Sequence, residues 1–269
     1  MKTELKSFLD AISEKYKHDF LDTDPLSIVH EFRTPADREL VGFIAACFAY
    51  GKVAQIKKTV RRIIACMDEE PSIYISSFKP SRERKKFCGI YHRFHTGDDI
   101  VCLLFLLHQM INRRGTIEKF FLRGYSEGDE NIKGALIEFS RNALSLRLPA
   151  NVGAGLKPAP TGIRLFFPSP ANGSACKRLN LFLRWMVRPD DGIDLGIWKT
   201  IPASKLIIPL DTHIARAAIQ LGLTKRKSAS WLMAEEITEN LKRFDPADPV
   251  KYDFALTRPG ILGAKIFFR

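Results

Sequence analysis

"IIPLDTHIARAAIQLGL" (207–223) opens on an apolar run, turns at Pro209, and then places Asp211, Thr212 and His213 where an amphipathic helix begins. From Ile214 onward the apolar residues recur at three- and four-residue spacing, the pattern of a helix with one buried face. An acid at such a junction has two readings. It can cap the helix, its side chain accepting from the free N–H groups of the first turn. It can also be a catalytic carboxylate held at a helix start. The rest of the chain has to decide between them.

Outward from this stretch, helical periodicity dominates. LKSFLDAI, ELVGFIAACFAY, IKKTVRRIIACM, DIVCLLFLLHQMI, IEKFFLRGY and IKGALIEFSRNAL all repeat apolar residues at helical spacing, and alternating strand patterns are scarce. Asp24-Pro25 and Thr34-Pro35 read as cap residues followed by proline at the first helical position. Asp98-Asp99 opens the apolar helix after Gly97, with Asp98 as its cap, and Ser228 caps WLMAEEITENLKRF. The fold class is all-α. ANVGAGLKPAPTGI (150–163) is too rich in glycine and proline for a packed helix and reads as an exposed loop or insertion. It separates an N-terminal helical region (1–149) from a C-terminal region (164–269), and the two form helical subdomains around a cleft or a single body.

The 269 residues carry 42 Lys plus Arg against 30 Asp plus Glu, a net charge of +12. Such an excess suits a polyanionic partner, because cationic side chains displace counterions condensed on phosphates. The N-terminus lacks the continuous apolar core of a signal peptide. The most apolar run, IVCLLFLLHQMI (100–111), is too short to span a bilayer. The five cysteines (Cys47, Cys66, Cys88, Cys102, Cys176) form no Cys-x-x-Cys pair and read as small reduced core residues. The expectation is a monomeric cytoplasmic protein without cofactor, metal or membrane contact.

Upstream of Asp211, "FFPSPANGSACKRLNLFLRWMVR" (166–188) reads as a turn-rich hairpin leading into an amphipathic helix. Gly173, Ser174 and Ala175 are small enough to admit a nucleic-acid backbone, and a helix start offers N–H groups to a phosphate. Lys177 and Arg178 lie on the first turn. The linker RPDDGIDLGIWKTIPASKLI then leads to Asp211. A hairpin, a lysine on an Asn-containing apolar helix (KRLNLFL), and an apolar-Pro-apolar-Asp-Thr-His step into ARAAIQLGL together resemble the helix-hairpin-helix base-excision DNA glycosylase superfamily. The match covers roughly 165–245, and YHRFHTGDDI and VKYDFALTR resemble a bacterial family within or beside it, near the archaeal branch acting on oxidised guanine. Two features depart from that pattern: PSPANGSAC is longer than the usual hairpin, and Asp211 lies 34 positions after Lys177, farther than usual.

The resemblance implies DNA as partner, with Lys177 and Asp211 catalytic and facing one pocket. Gly173, Ser174, Ala175, Arg178, His213 and Arg216 are the DNA contacts. A base must be flipped out of the duplex to be reached. Breaking its N-glycosidic bond builds positive charge on the sugar, which a carboxylate stabilises. A neutral lysine amine can attack the sugar carbon and add a lyase step. The alternative is a DNA-binding protein that keeps the hairpin and has lost catalysis. Plainer roles stand beside each assignment: capping for Asp211, and a solvated helix face for Lys177, Arg61, Arg62, Lys57 and Lys58. Tyr91–His95 with Asp98 and Asp99 is a surface turn sooner than a metal site. Trp185 and Trp231 belong to a core, with Trp198 the best placed of the three tryptophans to stack on a base.

Overall fold

The computed structural model describes residues 2–16, 18–148 and 161–263. Every segment with helical apolar spacing folds as a helix, and among the described residues there is no strand, only an isolated bridge between His92 and His95. In chain order the helices are α1 (Lys2–Lys15), α2 (Leu26–His30), α3 (Pro35–Cys47), α4 (Val53–Ala65) and α5 (Pro71–Ser76). They continue with α6 (Pro80–Phe87), α7 (Gly97–Arg114), α8 (Ile117–Phe121), α9 (Lys133–Leu144) and α10 (Thr161–Phe166). The last four are α11 (Lys177–Val187), α12 (Thr212–Gln220), α13 (Trp231–Lys242) and α14 (Asp253–Ile261). The Gly/Pro-rich segment lies outside the described residues up to position 160, and its last three residues belong to α10.

The chain forms two compact units. One gathers Thr23–Ser126 and Gly134–Ser169; the other gathers Met1–Asp22, Glu127–Lys133 and Pro170–Arg269. In the first, α7 is the central element, burying Ile100, Val101, Leu103, Leu104, Leu106 and Leu107. Phe43, Phe120, Phe121, Phe139 and Phe167 pack edge-on or tilted against one another at centroid separations of 5.5–6.0 Å, the arrangement aromatic quadrupoles favour.

Several helix starts carry the expected side-chain caps, with three corrections. Pro25, not Asp24, holds the cap position of α2, and Asp24 Oδ1 accepts the Leu26 amide at 3.0 Å. Thr34 caps α3, with Pro35 in the first turn, as read from the sequence. The cap of α7 is Thr96, not Asp98. The Asp99 amide donates to Thr96 Oγ1 and the Thr96 amide to Asp99 Oδ2 at 2.8 Å, a reciprocal pair that leaves Asp98 outside. Asp98 instead takes two bonds of 2.7 Å from Arg84. Likewise Ser230, extended at φ −146°, caps α13 in place of Ser228. The cysteines are all free thiols, but only Cys47, Cys102 and Cys176 are core; Cys66 is half-buried and Cys88 exposed.

One acid in this unit is spent on a helix start. Glu39 of α3 is buried, and its two carboxylate oxygens accept the Ile117 and Glu118 amides of α8 at 2.9 Å each. The positive end of the helix dipole and two otherwise orphaned N–H groups compensate the buried charge.

The Tyr91–His95 turn is structural. His92 Nε2 donates to the Tyr50 carbonyl at 3.0 Å and its Nδ1 meets Thr59 Oγ1 at 2.9 Å. His95 Nε2 donates to the Gly162 carbonyl at 3.1 Å and its Nδ1 meets the Tyr50 hydroxyl. All four ring nitrogens are engaged by protein groups. Among the described residues no group of three metal-ligating side chains converges, and no helix is long and apolar enough to cross a membrane.

Candidate functional site

Both residues singled out for chemistry belong to the second unit, and each stands at a helix N-terminus. The hairpin before Lys177 is built by a 3-10 turn over Pro170–Asn172, closed by the Gly173 amide donating to the Pro170 carbonyl at 2.9 Å. Gly173 has φ +73° and is exposed, and a Cβ added to it would meet nothing within 4 Å. Glycine is there for its backbone, and the surface above it is open. Its carbonyl accepts the Trp231 amide at 3.0 Å, tying the hairpin to the start of α13. Cys176, left-handed at φ 49°, turns the chain into α11 without a side-chain cap. The buried Asn180 staples the turn to the helix, its Nδ2 donating to the Ala175 carbonyl at 3.0 Å. Lys177 and Arg178 are then the first two helical residues and half-buried, like Ser174 and Ala175.

Asp211 is reached by an extended apolar run, Leu206–Leu210, that threads the core. The Ile208 amide donates to Thr238 Oγ1 at 3.0 Å, which fixes the run against α13. At φ −121°, ψ −172° Asp211 is the cap of α12, and one oxygen, Oδ1, accepts both the His213 and the Ile214 amides at 2.9 Å. Among the described residues its second oxygen accepts no hydrogen bond, and the residue is only half-buried. The capping reading therefore holds, and it consumes half of the carboxylate. His213 is half-buried against α14, where a Cβ on Gly260 would fall 2.3 Å from its Nδ1; Arg216 is exposed on the outer face of α12.

Beneath this surface is a polar core that the sequence reading did not find. Arg184 on the last turn of α11 and Arg188, the residue that ends the helix, are both buried. Arg184 donates from Nε to Asp194 at 3.1 Å and from a terminal nitrogen to Asp253. Arg188 donates to Asp194, to Asp248 at 2.9 Å and to Asp191 at 3.0 Å. Two guanidinium groups thus face four carboxyls. Burial alone would lower the Arg188 value, and the surrounding Asp194, Asp248 and Asp191 charges raise it. Burial likewise pushes the Asp194 and Asp248 carboxyls up against the pull of the arginines. The Asp253 carboxyl is pushed up to about 6, by burial first, with Arg184 opposing and the Asp211 charge adding to the rise. Its Oδ1 is buried and accepts no hydrogen bond.

The segment expected as a linker is what completes this core. The Leu195 amide donates to the Trp185 carbonyl and the Trp198 amide to the Met186 carbonyl, each at 2.8 Å. These are carbonyls of the last turn of α11, which have no partner within their own helix. Gly196 makes the return possible: at φ +55° it lies against the Arg188 carbonyl, where a Cβ would come within 2.8 Å. The strap delivers Asp194 to both arginines and buries Trp198, whose ring stands edge-on to Phe182 at 5.3 Å. Trp198 is thus a core residue and presents no face for a base. The signal for this network was present: two arginines four residues apart inside the apolar run LNLFLRWMVR, followed at once by PDDGID.

Fold and site define an all-α protein with a half-exposed carboxylate at one helix start and a lysine at another, over a buried Arg–Asp core. The chain belongs to the DUF2400 family, described as protein of unknown function, whose family model matches residues 24–262. No curated protein and no solved structure matches it.

Proposed function

We propose that this protein is a DNA base-excision enzyme of the helix-hairpin-helix glycosylase type, cleaving the N-glycosidic bond of a damaged base, with oxidised purines the first substrates to test. The observation that carries the reading is the half-used carboxylate of Asp211. Its Oδ1 is locked by two backbone N–H groups, and among the described residues its Oδ2 accepts no hydrogen bond at a partly exposed position. A fixed carboxylate with one open oxygen can stabilise positive charge developing on a sugar without reorganising first. Lys177, first residue of the helix that follows an open glycine turn, is the proposed amine nucleophile for a lyase step, with Gly173, Ser174, Ala175 and Arg178 receiving the DNA backbone. His213 and Arg216 extend that contact from α12. The net charge of +12 supports a polyanionic partner.

The test is incubation with duplex oligonucleotides carrying a panel of base lesions, with and without borohydride. Release of one lesion base is the expected result, with a trapped covalent adduct if the lyase route operates. Lys177→Gln should abolish the adduct and leave simple base release partly intact. Binding that survives while no lesion is released would favour the non-catalytic DNA-binding reading.

A further inference from the structure

We propose that the Tyr91–His95 turn is a stacking platform for the bases of single-stranded DNA, with Lys52, Arg62 and Arg93 around it receiving the phosphates. The choice of DNA over RNA rests on the base-excision reading; the stacking itself does not.

The inner side of this turn is spent on the fold, and the outer side is not. The His92 amide donates to the His95 carbonyl at 2.9 Å and the His95 amide to the His92 carbonyl at 3.0 Å, so only Arg93 and Phe94 cross the tip. Both imidazoles are buried, while Tyr91, Arg93 and Phe94 are exposed. Among the described residues Phe94 and Tyr91 are the most exposed large hydrophobic side chains, at 69% and 65%, and the only exposed phenylalanine and tyrosine. One exposed ring needs no explanation. Two on a single hydrogen-bonded turn make a fixed π surface.

The charges beside it are placed by contact. The Phe94 ring runs parallel to that of Tyr50, within 12° and at a centroid separation of 6.5 Å. Arg93 is held at φ +52°, a region that residues other than glycine seldom adopt, and its guanidinium lies 5.7 Å from the Phe94 centroid. Its side chain runs along Gly51, where an added Cβ would stand 3.5 Å from Cδ and from Nη1, and Lys52 follows directly. From α4, Arg62 donates to the Gly89 carbonyl at 3.2 Å, two residues before Tyr91. Glu31 and Asp98 are taken by Arg61 and Arg84, and among the described residues no carboxylate is ion-paired with the exposed Lys52, Arg62 or Arg93. Exposed rings among cations suit a single strand: the charges meet phosphates, and the rings stack on bases of any sequence, since every base has a π face. A duplex keeps its bases stacked on one another and offers the rings nothing. A protein partner would cover roughly 800 Å² around an apolar centre. The exposed positions of α4 are instead Ala54, Gln55, Lys58, Arg61, Arg62 and Ala65, none of them a large apolar group.

Two measurements test this. The first is fluorescence anisotropy of the full chain with a labelled, undamaged oligothymidylate. Phe94→Leu keeps apolar area and removes the ring, so it should weaken binding roughly tenfold or more, and Tyr91→Leu likewise. Phe94→Trp should bind at least as tightly as wild type. Arg93→Gln should make the log–log salt dependence shallower by about 0.7, the share of one phosphate on a single strand. Wild-type affinity in both leucine variants overturns the proposal. Tighter binding of the matching oligouridylate overturns the assignment to DNA. The second measurement needs no variant: ultraviolet cross-linking of wild-type protein to single-stranded DNA carrying 5-iodouracil, mapped by mass spectrometry. Cross-links at Tyr91 or Phe94 are expected, and cross-links found only elsewhere overturn the proposal. Neither oligonucleotide carries a lesion, so a failure of base excision is a separate result, and a cross-link at the turn would stand without it.

Discussion

Glu39 and Asp211 are both acids at helix starts, and the protein treats them differently. Glu39 is buried, and its two oxygens are both occupied by the first amides of α8. Asp211 is half-exposed, and a single oxygen serves both amides of α12. The first arrangement puts the whole carboxylate into architecture. The second achieves the cap with one oxygen and leaves the other without a hydrogen bond among the described residues. Capping and catalysis are therefore not competing readings of Asp211, since the cap is what would hold the reactive oxygen still.

Substitutions that remove charge and keep shape separate the two acids. The largest effect expected is on rate. Asp211→Asn retains an oxygen for both cap amides, so melting temperature and DNA affinity should stay at wild-type values while lesion release falls about a hundredfold or more. A variant that excises as fast as wild type would make Asp211 a second Glu39. The converse change, Glu39→Gln, puts an amide NH2 where one of two buried N–H donors needs an acceptor. It should lower stability by about 1–3 kcal/mol in denaturant melts, with excision unchanged. The smallest effect sharpens the capping side. Ser230→Ala should cost about 1 kcal/mol, since Ser230 Oγ accepts the Met233 amide, while Ser228→Ala should stay within about 0.5 kcal/mol. Equal losses at the two serines would show that the cap assignment to Ser230 carries no energy. DNA affinity that is indifferent to salt would break the other side of the comparison, because several phosphate contacts predict a steep fall.

Helix existence was legible because 3.6-residue periodicity is local, and the all-α class follows from it. The cap of α12 was legible for the same reason, as Asp211 precedes its helix directly. The cap of α2 was misplaced by one residue, and those of α7 and α13 by two each. Neighbouring polar residues compete for that position, and backbone dihedrals, not residue type, choose Thr96 over Asp98 and Ser230 over Ser228. The Arg–Asp core was hidden for a different reason. Arg184 finds Asp253 across 69 positions of sequence, and whether an arginine in an apolar helix is a snorkelling surface residue or a buried ion depends on that partner. The strap read as excess chain because the carbonyls it satisfies belong to α11 and leave no mark on the strap itself.

The route of the chain through its two units sets an order of events at the ribosome. The unit holding the candidate site draws on the first 22 residues, a short middle segment and everything from Pro170 onward. The hydrogen bond between Tyr252 and Asp10 joins residues 242 positions apart. At elongation rates of roughly 5–20 residues per second, α1 emerges on the order of tens of seconds before the helix it packs against has been made. Meanwhile the other unit, complete by Ser169, has all its parts and can fold in its place. An amphipathic helix carrying Phe8 and Leu9 must wait in that interval with its apolar face uncovered. Slow synthesis over the last hundred codons would therefore expose this protein to aggregation through its N-terminus, far in sequence from where the delay occurs.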